Sequence, residues 1–295
     1  MTEIRRAPPS VGKLDKFVLA HAKIIGTVFE RVRQSITYMV LSGALERAAR
    51  EPNGPTFVVK GGVALELRLP GRARATKDID IVAICESDDL VAALDQALSA
   101  PYCNFTFTRR PDTKELGDKA TRVWVQIDYQ SQRWTTIQVD LAKSEGPKTE
   151  TEQIPGISLD PFGLQSPDFV SCISLRYHIA QKIHGMTKAP YDGSENDRFR
   201  DAVDLLLLEE LISLEELPAV CEACEETFRI RKEHAWPPDI TLPISWEMPL
   251  VTMANELELD VDSLEETQLR LHRFVQSIVQ ATGNNSTMSD TSNGN

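Results

Sequence analysis

The sequence predicts an α+β protein in which a small mixed sheet with helices is followed by a helical domain. Three observations predict it. Apolar residues recur at helical spacing before residue 50, and short runs of β-branched and aromatic residues with period-two patterning fill the stretch from Thr56 to Leu141. From Ser166 onward the pattern is helical. A length of 295 residues sets a prior of about two domains. The boundaries are placed at 1–165 and 166–282. Residues 283–295 are expected to be a disordered tail, because Met288 is the one large apolar residue among Asn, Ser, Thr and Gly.

Taken in order, Lys13 to Arg50 carries Leu19, Ile24, Val28, Val32, Ile36 and Val40 at helical spacing, as one long helix or two broken near Gly26. Glu51-Pro52-Asn53-Gly54-Pro55 ends it, since each proline lacks an N–H and biases the residue before it away from the helical region. Thr56 to Lys60 reads as a strand, Gly61-Gly62 as a turn, and Val63 to Arg68 as a short helix. Asp78-Ile79-Asp80-Ile81-Val82 is a second strand, and Ser87 is the expected N-cap of a helix reaching Leu98. Further strands are expected at Phe105 to Arg109, Val123 to Tyr129 and Thr136 to Leu141. Ser166 as N-cap with Pro167 at the first helical position opens a helix to about Lys188. A second helix starts near Asn196 or Asp197 and runs to about Ile212, and more follow up to Gln280, interrupted at Trp236-Pro237-Pro238 and Pro243.

Composition narrows the function. Hydrophobic residues at 41% and charged residues at 26% are ordinary for a folded globular chain. No apolar run approaches the roughly 20 residues of a membrane span, and no secretory leader is legible, so a cytoplasmic location is expected. Five cysteines at irregular spacing suit reduced thiols. Cys221 and Cys224 read as two half-buried helix cysteines, because a closed zinc site takes four ligands. A net charge of −12 argues against a general nucleic-acid binder. Yet Asp201 to Arg270 holds 18 Asp and Glu against 4 Lys and Arg, so the acidity belongs to one segment. Lys60, Arg68, Arg72, Arg74 and Lys77 face only Glu66 in their own stretch, where a polyanionic ligand is expected to bind.

Asp78 and Asp80 are two apart on a strand, so both carboxylates share one face while Ile79 and Ile81 enter the core. Two acids on one face repel unless a cation lies between them, and paired hard cations about 3.5 to 4 Å apart serve phosphoryl and nucleotidyl transfer. Asp140 repeats the alternation in a later strand. Gly61-Gly62, at a strand-to-helix turn, lets backbone N–H groups approach a phosphate at a helix N-terminus. Thr76 is expected to place its hydroxyl on the face of Asp78 and Asp80. Phosphorylation there would add about −1.5 to −2 charges beside those acids, which makes it a candidate control point.

Gly61-Gly62, a short helix, Asp78-Ile79-Asp80 and later Asp140 resemble the polymerase-beta-type nucleotidyltransferase superfamily. The finer resemblance is to the AbiEii/AbiGii toxin family: Lys60-Gly61-Gly62-Val63-Ala64-Leu65 and Arg74-Ala75-Thr76-Lys77-Asp78-Ile79-Asp80 are similar to its K-G-G-T-A-L and R-x-S/T-x-D-I-D patterns. Gln181-Lys182-Ile183-His184-Gly185-Met186 and Arg198-Phe199-Arg200-Asp201-Ala202-Val203-Asp204 are similar to its helical lysine and R-x-R/K-D-x-x-D motifs. Val63 departs from the Thr or Ser common there, removing a hydroxyl.

The resemblance implies a toxin of a type IV toxin-antitoxin pair, with an AbiEi-like antitoxin as partner and an NTP as substrate. It implies transfer of NMP to an acceptor hydroxyl, the tRNA 3′ end foremost, with release of pyrophosphate and a block to translation. Asp78, Asp80 and Asp140 are then the ligands of Mg2+, with Mn2+ as the alternative metal. Gly61, Gly62, Arg74, Thr76 and Lys182 meet the nucleotide. Either Asp201 or Asp204, three apart on one helix face, supports Lys182; the residues alone read equally as a surface salt-bridge cluster. Transfer to a protein or small molecule is the alternative within the class. A non-catalytic docking module, with the acidic segment as its surface, is the alternative outside it.

Overall fold

The computed structural model describes residues 6–84, 89–117, 120–145, 150–190 and 193–288. Contacts divide the chain into two compact units, one of residues up to Gly71 with Ala75–Ile173, the other of Arg72–Arg74 with the chain from Ser174 onward.

The first unit opens with α1 (Val11–Ile24) and α2 (Phe29–Ala49). Ser10 caps α1, accepting from the Lys13 amide, and the break between the helices contains Gly26 at φ +68°, a backbone region that glycine enters without steric cost. Next come β1 (Thr56–Lys60), α3 (Gly61–Arg68), β2 (Asp78–Ile84) and α4 (Leu90–Leu98). The sheet is completed by β3 (Phe105–Glu115), β4 (Ala120–Tyr129), β5 (Gln132–Lys143), β6 (Thr151–Pro155) and β7 (Phe169–Ile173).

Among the described residues the sheet has seven strands in the order β3-β4-β5-β2-β1-β7-β6. It is mixed: β2 runs parallel to β5 and β1 parallel to β7, and the other pairings are antiparallel. Ile79, Ile81, Val123, Val125, Val139 and Leu141 form one core with Val18, Ile36 and Leu41 of the first two helices. Period two therefore leaves Asp78, Asp80, Arg122, Trp124, Gln138 and Asp140 on the opposite face of the sheet, all half-buried.

The second unit is helical, built from α5 (Leu175–Thr187), α6 (Phe199–Glu209), α7 (Leu217–Arg231), α8 (Glu247–Glu256) and α9 (Leu264–Met288). Its core includes Ile179, Ile183, Val203, Leu205, Val220, Phe228 and Ile278. Cys221 and Cys224 are buried on α7. Among the described residues no helix is long and apolar enough to cross a membrane.

Four expectations change. The helix expected from Ser166 starts at Leu175 with Ser174 at its N-cap, because Phe169–Ile173 pairs as strand β7 with β1 and β6. The units accordingly divide at Ile173/Ser174. The cap of α4 is Asp89, whose side chain accepts from the Ala92 amide; Ser87 lies outside the described residues. The helical backbone of α9 continues into the expected tail as far as Met288, and the rest of that tail lies outside the described residues.

Candidate functional site

The acid face of the first unit follows from strand register. The parallel pairing of β2 with β5 sets Asp80 opposite Asp140 and Asp78 opposite Gln138, with strand spacing of about 4.8 Å. Ile79 and Ile81 are fully buried on the other side, which fixes the direction of both Asp78 and Asp80. The three predicted acids thus share one face.

Gly61 begins α3 at φ +62°, and a Cβ there would lie 2.1 Å from Asp80 Oδ2. A Cβ on Gly62 would lie 2.9 Å from the Cβ of Thr76. The glycine pair therefore lets the first turn of α3 close directly on the acid strand. The N-cap residue Lys60 makes no side-chain cap and the first turn itself holds no acidic residue, so its amides and the helix dipole contribute positive potential.

Thr76 is 8% exposed, and its Oγ1 donates to Asp78 Oδ1 at 2.9 Å. Gln138 Nε2 approaches Asp78 Oδ2 at 3.3 Å. Tyr38 donates from its hydroxyl to the Thr76 carbonyl at 2.6 Å and so fixes the backbone entering β2. Burial, then the charges of Asp78 and Glu66, push the Tyr38 phenol well above its ordinary range and keep it a donor.

Asp140 is held by a residue that sequence reasoning missed. Arg122 donates from Nε to Oδ1 at 2.7 Å and from Nη2 to Oδ2 at 2.8 Å. The hydrogen bond to Asp140 raises the Arg122 pKa, burial opposes the rise, and the charges of Asp140, Asp78 and Asp80 add to it. A guanidinium thus neutralises the third acid of this face. The oxygen donors on adjacent strands suit a hard divalent cation in number and chemistry. Among the described residues no three His, Cys, Asp or Glu side chains already converge on one point. Asp140 instead has both oxygens on Arg122.

The remaining predicted residues form a second cluster, within the helical unit. Lys182, 8% exposed rather than a surface lysine, donates from Nζ to Asp201 Oδ1 at 2.6 Å and to Asp204 Oδ2 at 2.7 Å. Arg74 donates to Asp204 through Nε at 2.9 Å and Nη2 at 3.1 Å. Asp201 also accepts from Arg198 at 3.3 Å. Both acids thus support Lys182, and fully buried Asp204 additionally holds Arg74. Burial alone would raise the Asp204 pKa; Lys182 and Arg74 outweigh it and hold the group below the usual carboxylate range. Burial alone would lower Lys182, and Asp204 and Asp201 outweigh it and push it up. Gly185 permits this packing, since a Cβ there would lie 2.9 Å from Asp201 Oδ2. A glycine three residues beyond a helical lysine was the signal available for it.

The basic stretch from Lys60 to Lys77 is a correction. Arg68 pairs with Glu152, Arg72 with Glu210 at 2.8 Å and Arg74 with Asp204, so three of its five cations are neutralised internally. They do not make a continuous polyanion-binding surface.

A mixed sheet with Asp78 and Asp80 on one strand, Asp140 beside them and a glycine-opened helix define a nucleotidyltransferase. The chain belongs to the AbiEii family, described as nucleotidyl transferase AbiEii toxin, type IV toxin-antitoxin system, whose model matches residues 43–284. Among solved structures it is similar to MenT4, a nucleotidyltransferase toxin from Mycobacterium tuberculosis H37Rv, at 16% identity and a TM-score of 0.53, covering 92% of this chain and 99% of that one. It also matches an antigenic nucleotidyltransferase-like protein from Paracoccidioides brasiliensis, at 12% identity and a TM-score of 0.39, over 67% of this chain and 88% of that one. No curated protein matches significantly. The protein is therefore a nucleotidyltransferase of a toxin family, with an NTP as substrate and an antitoxin as partner.

Proposed function

We propose that this enzyme transfers NMP from an NTP to a terminal hydroxyl of RNA, with tRNA 3′ ends as the acceptor class, and that the modification blocks translation. The observation that carries the reading is the register of β2 on β5, which sets Asp78, Asp80 and Asp140 on one face beside the first turn of α3.

Asp78, Asp80 and Asp140 are the residues that would hold Mg2+, or Mn2+ as the alternative. When bound, such ions supply Lewis-acid stabilisation of the phosphoryl oxygens and lower the pKa of an acceptor hydroxyl. The first-turn amides of α3, at Gly61 and Gly62, take the phosphates of the nucleotide, where the helix dipole favours negative charge. Thr76 orients Asp78 through its hydroxyl, and Gln138 orients it from the other oxygen. Asp140, held by Arg122, would complete the acid set, and the Arg122 guanidinium on the same face balances negative charge there. In the helical unit, Asp201 and Asp204 are positioning residues for Lys182, and Asp204 also positions Arg74.

The test is nucleotide-dependent stabilisation. Wild type with NTP and Mg2+ should melt at higher temperature than with either alone, and Asp78→Asn or Asp80→Asn should abolish the increment while leaving the unliganded melting point within a few degrees. A wild type that shows no Mg2+-dependent increment with any of the four NTPs contradicts the reading.

A further inference from the structure

The internal pairing of Arg68, Arg72 and Arg74 leaves open which cations receive the acceptor. The acid-bearing face of the sheet continues across β5 and β4 to β3. Along β5, Thr136 and Gln138 share the face of Asp140, and Thr136 lies about 13 Å from it at the usual rise per residue. Across the sheet, Gln138 is opposite Trp124 and Thr136 is opposite Gln126. Trp124 is therefore one strand beyond Gln138 and two beyond Asp78, half-buried, with the fully buried Val123 and Val125 facing the other way.

Two guanidiniums meet on Thr136, two residues along β5 from Gln138, the residue opposite this tryptophan. Arg110 reaches from β3 across β4 to place Nη2 3.3 Å from Thr136 Oγ1, and Arg133 places its own Nη2 3.2 Å from the same oxygen. Neither is ion-paired with a carboxylate among the described residues, unlike Arg109 on the buried side, which grips Asp95. Asp128, opposite Arg133, accepts from Gln126 Nε2 at 3.1 Å on both oxygens. Two like charges converging on one neutral hydroxyl repel. An anion between them removes that cost and gains charge-assisted hydrogen bonds from both.

From these contacts we infer that Trp124, Arg110 and Arg133 form the acceptor platform of the enzyme: the indole stacks a base of a single-stranded RNA end, and the arginine pair on Thr136 holds a backbone phosphate. The inference rests on the transferase reading. It adds how the acceptor is held, by an aromatic face flanked by basic groups, the combination that binds unpaired nucleotides without sequence readout. A protein acceptor would offer neither the phosphate nor a base to stack.

The experiment measures binding of unfractionated tRNA, and of the same tRNA trimmed of its single-stranded 3′ end, by anisotropy across a salt series and without NTP. Wild type should prefer intact tRNA. Trp124→Ala should weaken binding roughly 5- to 150-fold, the range for one stacked base, and Trp124→Phe should recover most of it. Arg110→Gln/Arg133→Gln should flatten the log–log salt dependence by about 0.7 for each phosphate that the pair no longer neutralises. The stabilisation by NTP and Mg2+ should persist in every variant, which also shows that each is folded. Variants that bind like wild type overturn the platform, and so does a wild type indifferent to trimming, while both leave the transferase reading standing. A wild type that NTP and Mg2+ fail to stabilise overturns the transferase reading, and the platform with it.

Discussion

Asp201 and Asp204 differ in what they hold, and replacing each by asparagine should separate them. Asp204, with no exposed surface, accepts one hydrogen bond from Lys182 and two from Arg74. Asp204→Asn removes the charge between two cations, leaving Asp201 alone against Lys182 and Arg74. It also turns an amide N–H₂ toward one of these donors. Removing one partner from a buried ion pair costs about 3–5 kcal/mol, because the remaining charge stays buried and uncompensated. Asp201→Asn weakens the 2.6 Å bond from Lys182 to one accepted by a neutral amide oxygen and gives up the weaker pairing with Arg198, whose side chain is 63% exposed. Lys182 retains Asp204, so the cost should be about 1.5–3 kcal/mol, the net worth of one hydrogen bond to a charged group. Hydrogen exchange at the buried amides of α6 reads the free energy of this unit rather than of the sheet. If Asp201→Asn cost as much as Asp204→Asn, or Asp204→Asn cost less than about 1 kcal/mol, Asp204 would not be the central acid of the cluster.

Other perturbations follow from the same geometry. Gly61→Ala adds a Cβ against Asp80 at a positive φ, costing at least about 1–2 kcal/mol in backbone strain alone, and should lower NTP affinity measured by calorimetry. Arg122→Gln leaves Asp140 facing Asp78 and Asp80 without its cation. The variant should melt lower than wild type in EDTA and gain more from Mg2+ by thermal shift; equal Mg2+ responses would count against Arg122 as the resident counter-ion. Thr76→Glu places a carboxylate beside Asp78 and should strongly reduce transfer, and full activity would end the idea of a phosphorylation switch at Thr76. His184 is 1% exposed, with burial first, then Arg231 and His234, lowering its pKa to about 3. A histidine depressed in the folded state contributes stability that is complete above its unfolded value of about 6.5 and is lost as pH falls toward the folded value. Stability should thus decline from pH 6.5 downward by at most about 1.4 kcal/mol per pH unit from this group, and urea titrations of His184→Gln should show a shallower decline.

The parts of this molecule legible in its sequence are those set by neighbours along the chain. Asp78-Ile79-Asp80 declares its two faces by period two alone, and the two prolines flanking Asn53-Gly54 end α2 whatever the rest of the fold does. Strand β7 was illegible because Ser166-Pro167-Asp168 carries the signals of a helix start, whereas Phe169–Ile173 pairs with β6, a strand with no clear sequence pattern, and with β1, more than 100 residues earlier. The same limit hid Arg122. The β4–β5 hairpin turns on Gln130 and Ser131, both at positive φ and neither of them glycine or asparagine, so its turn signal is weak. Tyr129 pairs with Gln132 and Asp128 with Arg133, and continuing that register would set Thr121 opposite Asp140. A shift of one residue between Ile127 and Asp128 brings Arg122 there instead. No local pattern announces that shift, yet it decides which side chain neutralises the third acid. The cluster around Lys182 was half legible: spacing placed Asp201 and Asp204 on one helix face, but their burial and the hold of Asp204 on Arg74 come from packing.

Nucleotide transfer to RNA can be read by incubating wild type and Asp80→Asn with each NTP labelled at its α-phosphate, together with Mg2+ and total tRNA, and resolving the products on a denaturing gel. Label should appear on tRNA with at least one nucleotide, dependent on Mg2+ and absent with Asp80→Asn. Label that persists undiminished in Asp80→Asn, or tRNA that stays unlabelled with all four nucleotides, would contradict the proposed transfer.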